Sequence, residues 1–225
     1  MALPRTIAID GPASSGKSSV SFAVAQDLHY LFVDTGAFYR GVTLAAIRAE
    51  LTNAHEAALV ALAEHCTLDI TPDLDTDGRQ YTLLLDSEDV TWEIRQPSVE
   101  SHVSRIAAVG GVREVLNRKY RTLAEHGCVI MVGRDIGTVV LPNADLKIYL
   151  DASVEARATR RSLQRVAAGE QADYDEILAA MRQRDALDSQ RAVAPLTQAA
   201  DAHYLDTSHL DVDGVIKAIK QLIVA

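Results

Sequence analysis

The stretch Gly11-Pro12-Ala13-Ser14-Ser15-Gly16-Lys17-Ser18 decides the fold. It fits the pattern G-x-x-x-x-G-K-[ST] at every fixed position. The apolar run Ile7-Ala8-Ile9-Asp10 precedes it, and a segment with helical spacing, residues 18–28, follows. In a strand–loop–helix unit of this kind, glycines let successive backbone N–H groups face inward and bind phosphate oxygens. The sequence therefore predicts a loop that binds a nucleoside triphosphate.

The side chains of this loop have separate predicted roles. Lys17 is expected to reach the β- and γ-phosphates, and the Ser18 hydroxyl is expected to bind Mg²⁺. The pattern predicts triphosphate binding but leaves the fate of the γ-phosphate open. The predicted nucleotide-binding residues are Gly11, Pro12, Ala13, Ser14, Ser15, Gly16, Lys17, Ser18 and Ser19.

Short apolar runs that end in an acidic residue recur along the chain. Their last residues are Asp10, Asp34, Asp135, Asp151 and Asp206, and longer stretches with helical spacing lie between them. This alternation is typical of an α/β fold, in which a parallel sheet is covered by helices on both faces. Ligands of such folds gather at the carboxyl ends of the strands, where these acidic residues fall.

Residues 66–92 break the alternation. Residues 67–71 and 80–85 read as short strands, and the turn-forming residues 72–78 lie between them. We predict a small antiparallel insert there. Helices are predicted within residues 99–125, at 153–168 with Ser153 as its N-cap, at 173–188 and at 211–224.

Composition restricts the possible partners. The 225 residues carry a net charge of −9, which disfavours broad attraction to nucleic acid or to an anionic membrane. The sequence has no apolar stretch of membrane-spanning length, and from its first residues we expect no apolar leader. Cys66 and Cys128 fit no metal-binding or redox pattern, so we expect two buried thiols in a reducing compartment. These observations predict a cytoplasmic protein.

Two classes of protein could use the triphosphate loop. A GTPase or ATPase switch passes the phosphoryl group to water, whereas a kinase also needs basic residues that hold a second substrate. The Asn-Lys-x-Asp guanine motif is absent from the sequence. The sequence has basic residues that could form such an acceptor cluster, and a guanidinium can make two parallel bonds to a phosphate. The sequence therefore favours a kinase.

Three further motifs resemble those of the bacterial cytidylate kinases, a family of P-loop nucleoside monophosphate kinases. They are Asp34-Thr35-Gly36-Ala37-Phe38-Tyr39-Arg40, Gly133-Arg134-Asp135-Ile136-Gly137-Thr138, and the pattern from Arg184 to Leu196. Ser19 stands where the family usually has Thr, and Thr35 where some relatives have Ser. The resemblance implies one P-loop domain over residues 1–225 with a five-stranded parallel sheet, a monophosphate-binding insert at 66–102 and a mobile lid at 155–185.

The resemblance also implies an activity. The expected reaction transfers a phosphoryl group from MgATP to CMP or dCMP and gives ADP with CDP or dCDP. Two alternatives stay open, namely a kinase for UMP or AMP, and a nucleotide-dependent switch or binding protein. The expected partners are small nucleotides, without nucleic acid or membrane, and the expected state is a monomer.

The family's site residues map onto this sequence by their motifs. Arg40, Arg134 and Arg191 would bind the acceptor phosphate, beside Thr35 and Tyr39. Asp135, Arg113 and Ser104 would read cytosine, and Arg184 with Asp188 would hold the pentose. The lid arginines Arg157, Arg160 and Arg161 share one helical face and would close over the transferring group. The implied catalytic residues are Lys17, Arg134, Arg157 and Arg161.

Structural alternatives remain for several of these residues. Ser104 could be an ordinary surface residue of a helix, and Tyr39 could belong to the core. Arg184 and Asp188 are four residues apart and could form an ion pair. Any one of the lid arginines could be a solvated surface residue. Asp34 could orient Mg²⁺ through water or support the backbone beside Thr35.

Overall fold

The computed structural model of the protein describes residues 3–72, 77–167 and 169–224. The strands are β1 (Thr6–Asp10), β2 (Leu31–Asp34), β3 (Leu68–Pro72), β4 (Tyr81–Leu85), β5 (Glu88–Asp89), β6 (Val129–Gly133), β7 (Leu146–Asp151) and β8 (His203–Asp206). The helices are α1 (Lys17–Leu28), α2 (Thr35–Arg48), α3 (Glu56–His65), α4 (Pro97–Ala107), α5 (Gly110–Glu125), α6 (Val154–Ala167), α7 (Tyr174–Gln190) and α8 (Val212–Val224). A 3₁₀ turn spans Glu93–Arg95, and a π-helical turn spans Ile136–Val140.

The main sheet has five parallel strands in the order β2-β6-β1-β7-β8, which confirms the predicted fold class. Ile7 lies opposite Leu146 in the register of β1 with β7, and Ile148 lies opposite His203 in that of β7 with β8. The apolar residues of β1 are fully buried, as expected for a strand covered on both faces. The sheet therefore brings the ends of β1 and β7 to the same edge.

The described residues form two compact units. The first contains those of 1–30 and 130–225, and the second contains those of 31–129. In the first unit, α8 buries Val215, Ile219 and Ile223, whose spacing of four places them on one helical face. Helices α6 and α7 pack together through a separate small apolar cluster, which includes Ala158, Ile177 and Met181.

The second unit contains the predicted antiparallel insert. Strands β3, β4 and β5 form a three-stranded sheet in which Ile70 pairs with Leu83. Burial alternates along β3 and β4, as expected for a sheet with one face packed on a core. Residues 73–76 of the predicted turn lie outside the described residues.

Trp92 marks one corner of this unit. Its indole N–H donates to Asp77 Oδ2 at 2.9 Å, and the Arg95 guanidinium carbon lies 5.2 Å from its ring centroid. The side chain is 48% exposed despite these contacts. Arg79 joins Asp77 to Asp89 by two ion pairs, so polar contacts hold the corner together.

The predicted helix starts agree with the observed caps. Ser153 Oγ accepts from the Ala156 N–H at 3.2 Å, and the Asp173 carboxylate accepts from the Glu176 N–H at 3.0 Å. Each side chain thereby satisfies an N–H of the first helical turn.

The prediction of two buried thiols is wrong for Cys128. Cys66 is buried, but Cys128 is exposed. Cys128 lies with Gly127 in the turn between α5 and β6, and both residues have positive φ angles. The turn places the Cys128 backbone so that its carbonyl accepts from the Leu31 N–H, which leaves the side chain at the surface. None of the described helices has the length and apolarity needed to cross a membrane.

Candidate active site

The phosphate-binding loop begins where β1 ends. Gly11 has a φ of 147°, and a Cβ there would lie 2.0 Å from the Leu150 carbonyl oxygen, so only glycine fits. Ser14 and Gly16 also have positive φ angles, and α1 starts directly after Gly16 at Lys17. Successive N–H groups of such a loop, together with a helix N-terminus, form an anion-binding cradle.

Lys17 is folded over this loop. Its ammonium donates to the Pro12 carbonyl at 2.5 Å and to Ser15 Oγ at 3.2 Å, and the residue is buried. The positive charge is therefore held at the cradle by the loop's own oxygens. Ser18 is half-buried in the first turn of α1, and Ser19 is exposed.

Arg157 connects the loop with both helices of the predicted lid. This α6 residue is 4% exposed, and its guanidinium donates to the Ala13 carbonyl at 3.2 Å. The same group makes two bonds to the Asp185 carboxylate of α7, at 2.6 and 3.1 Å. A bidentate ion pair of this kind fixes the plane of the guanidinium.

The other two lid arginines lie in different surroundings. Arg160 donates to Thr207 Oγ1 at 3.2 Å and to the Thr207 carbonyl, with a longer contact of 3.5 Å to the Ser15 carbonyl. Arg161 is exposed and contacts Gln164 at 3.4 Å. Two of the three arginines therefore contact carbonyls of the phosphate-binding loop in the described structure, and Arg161 extends into solvent.

Four predicted substrate-binding residues of the first unit form two ion pairs. Arg134 Nε donates to Asp188 Oδ2 at 2.9 Å. Arg191 contacts Asp135 Oδ1 at 3.5 Å, and Asp135 is 4% exposed. Arg184 lies half-buried on α7, one turn before Asp188. The structure thus brings the motifs at 133–138 and 184–196 together.

Asp10 holds the backbone of the first of these motifs. Its two carboxylate oxygens accept from the N–H groups of Ile136 and Gly137, each at 2.7 Å. Burial raises the pKa of Asp10 to about 6, against the opposing effect of these two N–H donors. The neighbouring charge of Asp135 raises the pKa further, and that of Lys17 lowers it.

The predicted acceptor residues of the second unit lie mostly on α2. Asp34 caps this helix, since its Oδ1 accepts from the Gly36 N–H at 2.9 Å, which supports the structural interpretation of that residue. Arg40 forms an ion pair with Glu100 of α4. Thr35 is buried, and its carbonyl accepts from the Tyr120 hydroxyl at 3.1 Å.

Arg113 of α5 lies beneath this segment. Its guanidinium carbon is 5.3 Å from the centroid of the Tyr39 ring, and its Nη1 donates to the Ala107 carbonyl at 3.0 Å. Tyr39 also makes an edge contact with Tyr120 and is buried, so it packs in the core. Ser104 lies exposed on α4.

Sequence reasoning gave no role to three residues that contact the predicted site. They are Asp10, Asp185 and Glu100. Asp10 and Asp185 stood within quoted motifs, and the acidic strand ending was a usable signal for Asp10. Glu100 gave no signal in the sequence, because its partner Arg40 is 60 residues away.

A glycine-rich cradle between a buried parallel strand and a helix, with a lysine held over it, defines a P-loop nucleotide-binding protein. The family model described as cytidylate kinase matches residues 7–225. The chain therefore belongs to the cytidylate kinase family.

Known proteins of similar sequence bear the same family name. The cytidylate kinase of Desulforamulus reducens is 45% identical over 215 residues, which cover 96% of this chain and 95% of that protein. The cytidylate kinase of Chloroflexus aggregans is 49% identical over 189 residues, covering 84% and 82%. An uncharacterized protein from Eubacterium ventriosum shares the fold, with a TM-score of 0.54 at 12% identity over 98% of each chain.

Proposed function

We propose that this protein transfers the γ-phosphoryl group of ATP to CMP or dCMP and releases ADP with CDP or dCDP. The observation that carries this proposal is the family match over residues 7–225, which includes the phosphate-binding loop and all three acceptor motifs. In the reaction, an oxygen of the acceptor phosphate bonds to the γ-phosphorus, and the bond from that phosphorus to the β-phosphate oxygen breaks.

Residues 11–19 bind the donor in this proposal. Backbone N–H groups of the loop contact the β-phosphate, and Lys17 extends from the Pro12 carbonyl to the β- and γ-oxygens. Arg157 already contacts the Ala13 carbonyl, so its guanidinium is positioned to neutralise charge that develops on the transferring group. Arg161 joins it only when residues 155–185 close as a lid, because it is exposed in the described structure.

Magnesium is part of the proposal, and the donor set fits it. Among the described residues, no group of three or more His, Cys, Asp or Glu side chains could hold a metal ion. Mg²⁺ commonly takes few protein ligands and keeps phosphate oxygens and waters, so the single hydroxyl of Ser18 suits it. When bound, the ion would supply positive charge that neutralises phosphate oxygens.

The residues that bind the acceptor are assigned from the family's motifs, separately for each unit. In the first unit, Arg134 and Arg191 bind its phosphate, Asp135 accepts from the cytosine N4 amino group, and Arg184 with Asp188 holds the pentose. In the second unit, Arg40 binds phosphate beside Thr35 and Tyr39, while Arg113 and Ser104 donate to the ring acceptors of cytosine. Uracil presents an oxygen in place of the amino group, so the Asp135 carboxylate would repel it.

The chemistry needs little more than positioning and charge neutralisation. The acceptor phosphate is already nucleophilic near neutral pH, so the proposal assigns no residue as a general base. Lid closure excludes water, which would otherwise accept the phosphoryl group. The net charge of −9 disfavours broad attraction to nucleic acid, and we expect small nucleotides as the partners of a monomer that acts in the cytoplasm.

The test is a coupled assay of ADP release with ATP, Mg²⁺ and each nucleoside monophosphate in turn. CMP and dCMP should give the highest kcat/KM. Lys17→Ala should remove turnover, by a factor of about 10³ or more, while thermal unfolding shows a folded protein. A preference for UMP, AMP or GMP would overturn the proposed substrate. ATP hydrolysis at a rate that no monophosphate changes would indicate a switch protein instead.

A further inference from the structure

Asp10 stands apart from the other acidic residues at the ends of strands. It is 4% exposed, and each of its two carboxylate oxygens accepts a backbone N–H, from Ile136 and Gly137. These two N–H groups follow Asp135 directly in the chain. The turn that carries Arg134 and Asp135 is therefore fixed to the last residue of β1, immediately before the phosphate-binding loop.

We propose that Asp10 is a positioning residue for acceptor recognition, which holds the turn of residues 134–137 so that Arg134 and Asp135 meet the bound monophosphate. The inference rests on the proposed function for the roles of those two side chains. Asp10 itself contacts backbone, so it is not a catalytic residue.

The contacts of the turn explain why backbone support is needed. Arg134 is paired with Asp188 and Asp135 with Arg191, both in the 184–196 motif, and Arg134 also donates to the Gly133 carbonyl at 3.3 Å. The charged groups of these pairs are the ones proposed to bind the substrate. When substrate rearranges these ion pairs, the two bonds from Asp10 keep the backbone of the turn in place.

Residue 10 must be a carboxylate because of the number of hydrogen bonds that it accepts. Two N–H donors point at it, and only a carboxylate offers two acceptor oxygens. An asparagine would present an NH₂ group to one of the two donors, which would lose one bond and leave a buried N–H unsatisfied.

Gly137 provides the space for this contact. A Cβ there would lie 3.4 Å from Asp10 Oδ2 and 3.1 Å from Cδ of Lys147. Alanine at residue 137 would therefore crowd the Lys147 side chain and touch the carboxylate, without removing any charge. This variant alters the packing beside the same contact.

Asp145 offers a matched control at the opposite end of β1. Its Oδ2 accepts from the backbone N–H groups of Arg5 and Thr6, at 2.8 and 2.9 Å. Like Asp10, Asp145 accepts two successive backbone N–H groups, but through one oxygen, which also accepts from the Thr6 hydroxyl at 3.0 Å. The site is exposed and stands at the start of β1, whereas the phosphate-binding loop follows its end.

The experiment compares Asp10→Asn and Asp145→Asn with the parent enzyme in steady-state kinetics with CMP, UMP and ATP. Asp10→Asn should raise KM for CMP about tenfold or more and lower the CMP-to-UMP ratio of kcat/KM by a similar factor, with KM for ATP changed less than about threefold. Asp145→Asn should leave all three values unchanged. Amide exchange at Ile136 and Gly137 should accelerate only in Asp10→Asn.

Unchanged CMP selectivity and KM in Asp10→Asn would overturn the proposal, even if the variant is less stable, because the residue would then be structural. If Asp10→Asn does not fold, Gly137→Ala is judged by the same criteria. A parent enzyme without preference for CMP would refute the proposed function, whereas the exchange of the two amides would still report whether Asp10 restrains the turn.

Discussion

Asp10 and Asp135 are equally buried, but their partners differ in kind. Asp10 is bound by two rigid backbone N–H groups, and Asp135 faces the side chain of Arg191 at 3.5 Å. A carboxylate bound to backbone keeps its partners, whereas one beside a long side chain can exchange them for a ligand. This difference fits the positioning role proposed for Asp10 and the base-reading role proposed for Asp135.

The recognition task leads to a prediction for Asp135→Asn. The variant should reduce discrimination of CMP against UMP by about tenfold or more, because an amide no longer repels the uracil oxygen and can donate to it. The measurement is kcat/KM for both monophosphates under identical conditions. Discrimination equal to that of the parent would remove Asp135 from the base-reading role.

The buried carboxylate of Asp10 should also affect stability as a function of pH. Its folded pKa of about 6 lies above the ordinary value of 3.8, so the folded state binds the proton more tightly. Protonation of Asp10 therefore stabilises the folded state. This contribution is fully present at a pH below the pKa of Asp10 in the unfolded chain, and it is lost as the pH rises through 6. Between pH 4 and pH 7, the free energy of unfolding of the parent relative to Asp10→Asn should fall by about 2 kcal/mol.

Chemical denaturation of both proteins across this pH range measures that difference, and a difference independent of pH would contradict the prediction. Asp145→Asn is a control, because the pH dependence of its effect on stability should have the opposite sign. The backbone N–H of Thr6 lowers the pKa of Asp145, so its stabilisation is present at higher pH and is lost only as the pH falls below its ordinary value.

At the scale of elements, α6 and α7 are joined by two ion pairs that differ in burial. Arg157 and Asp185 form the inner pair, with side chains 5% and 26% exposed. Arg182 and Glu155 form the outer pair, with side chains more than half exposed. Ion pairs in solvent contribute little to stability, whereas loss of one partner of a buried pair leaves an uncompensated charge.

Asp185→Asn should therefore lower the free energy of unfolding by about 2 kcal/mol. It should also lower kcat, since Arg157 loses the bidentate bond that fixes its orientation near the Ala13 carbonyl. Glu155→Gln, on the same two helices, should cost less than about 1 kcal/mol and leave kcat unchanged. Equal effects of the two variants, measured by urea unfolding and steady-state kinetics, would show that burial does not distinguish the pairs.

Elements whose signals are local were predictable from the sequence. The phosphate-binding loop needs glycines at fixed places, and Gly11 lies against the Leu150 carbonyl as only a glycine could. The caps at Ser153 and Asp173 bond to N–H groups three residues ahead, so sequence spacing is sufficient to find them.

For the whole molecule, the recurring apolar runs predicted the parallel sheet, because each run is long enough for a strand buried on both faces. The side-chain partners within the site could not be predicted from the sequence. Asp10 binds residues 126 and 127 positions away, and Arg134 binds Asp188 across 54 positions. No local pattern encodes such distant pairs. The same limit applies to Cys128, whose exposure follows from the backbone path of one turn.

The placement of the chain's sole tryptophan has a practical consequence. Trp92 lies in the unit formed by residues 31–129, with Arg95 against its ring and Asp77 on its indole nitrogen. Intrinsic fluorescence excited at the indole band therefore originates entirely from that unit. The emission reports the environment of Trp92 without any added label. Unfolding around Trp92 can therefore be recorded separately from that of the whole chain, which circular dichroism measures.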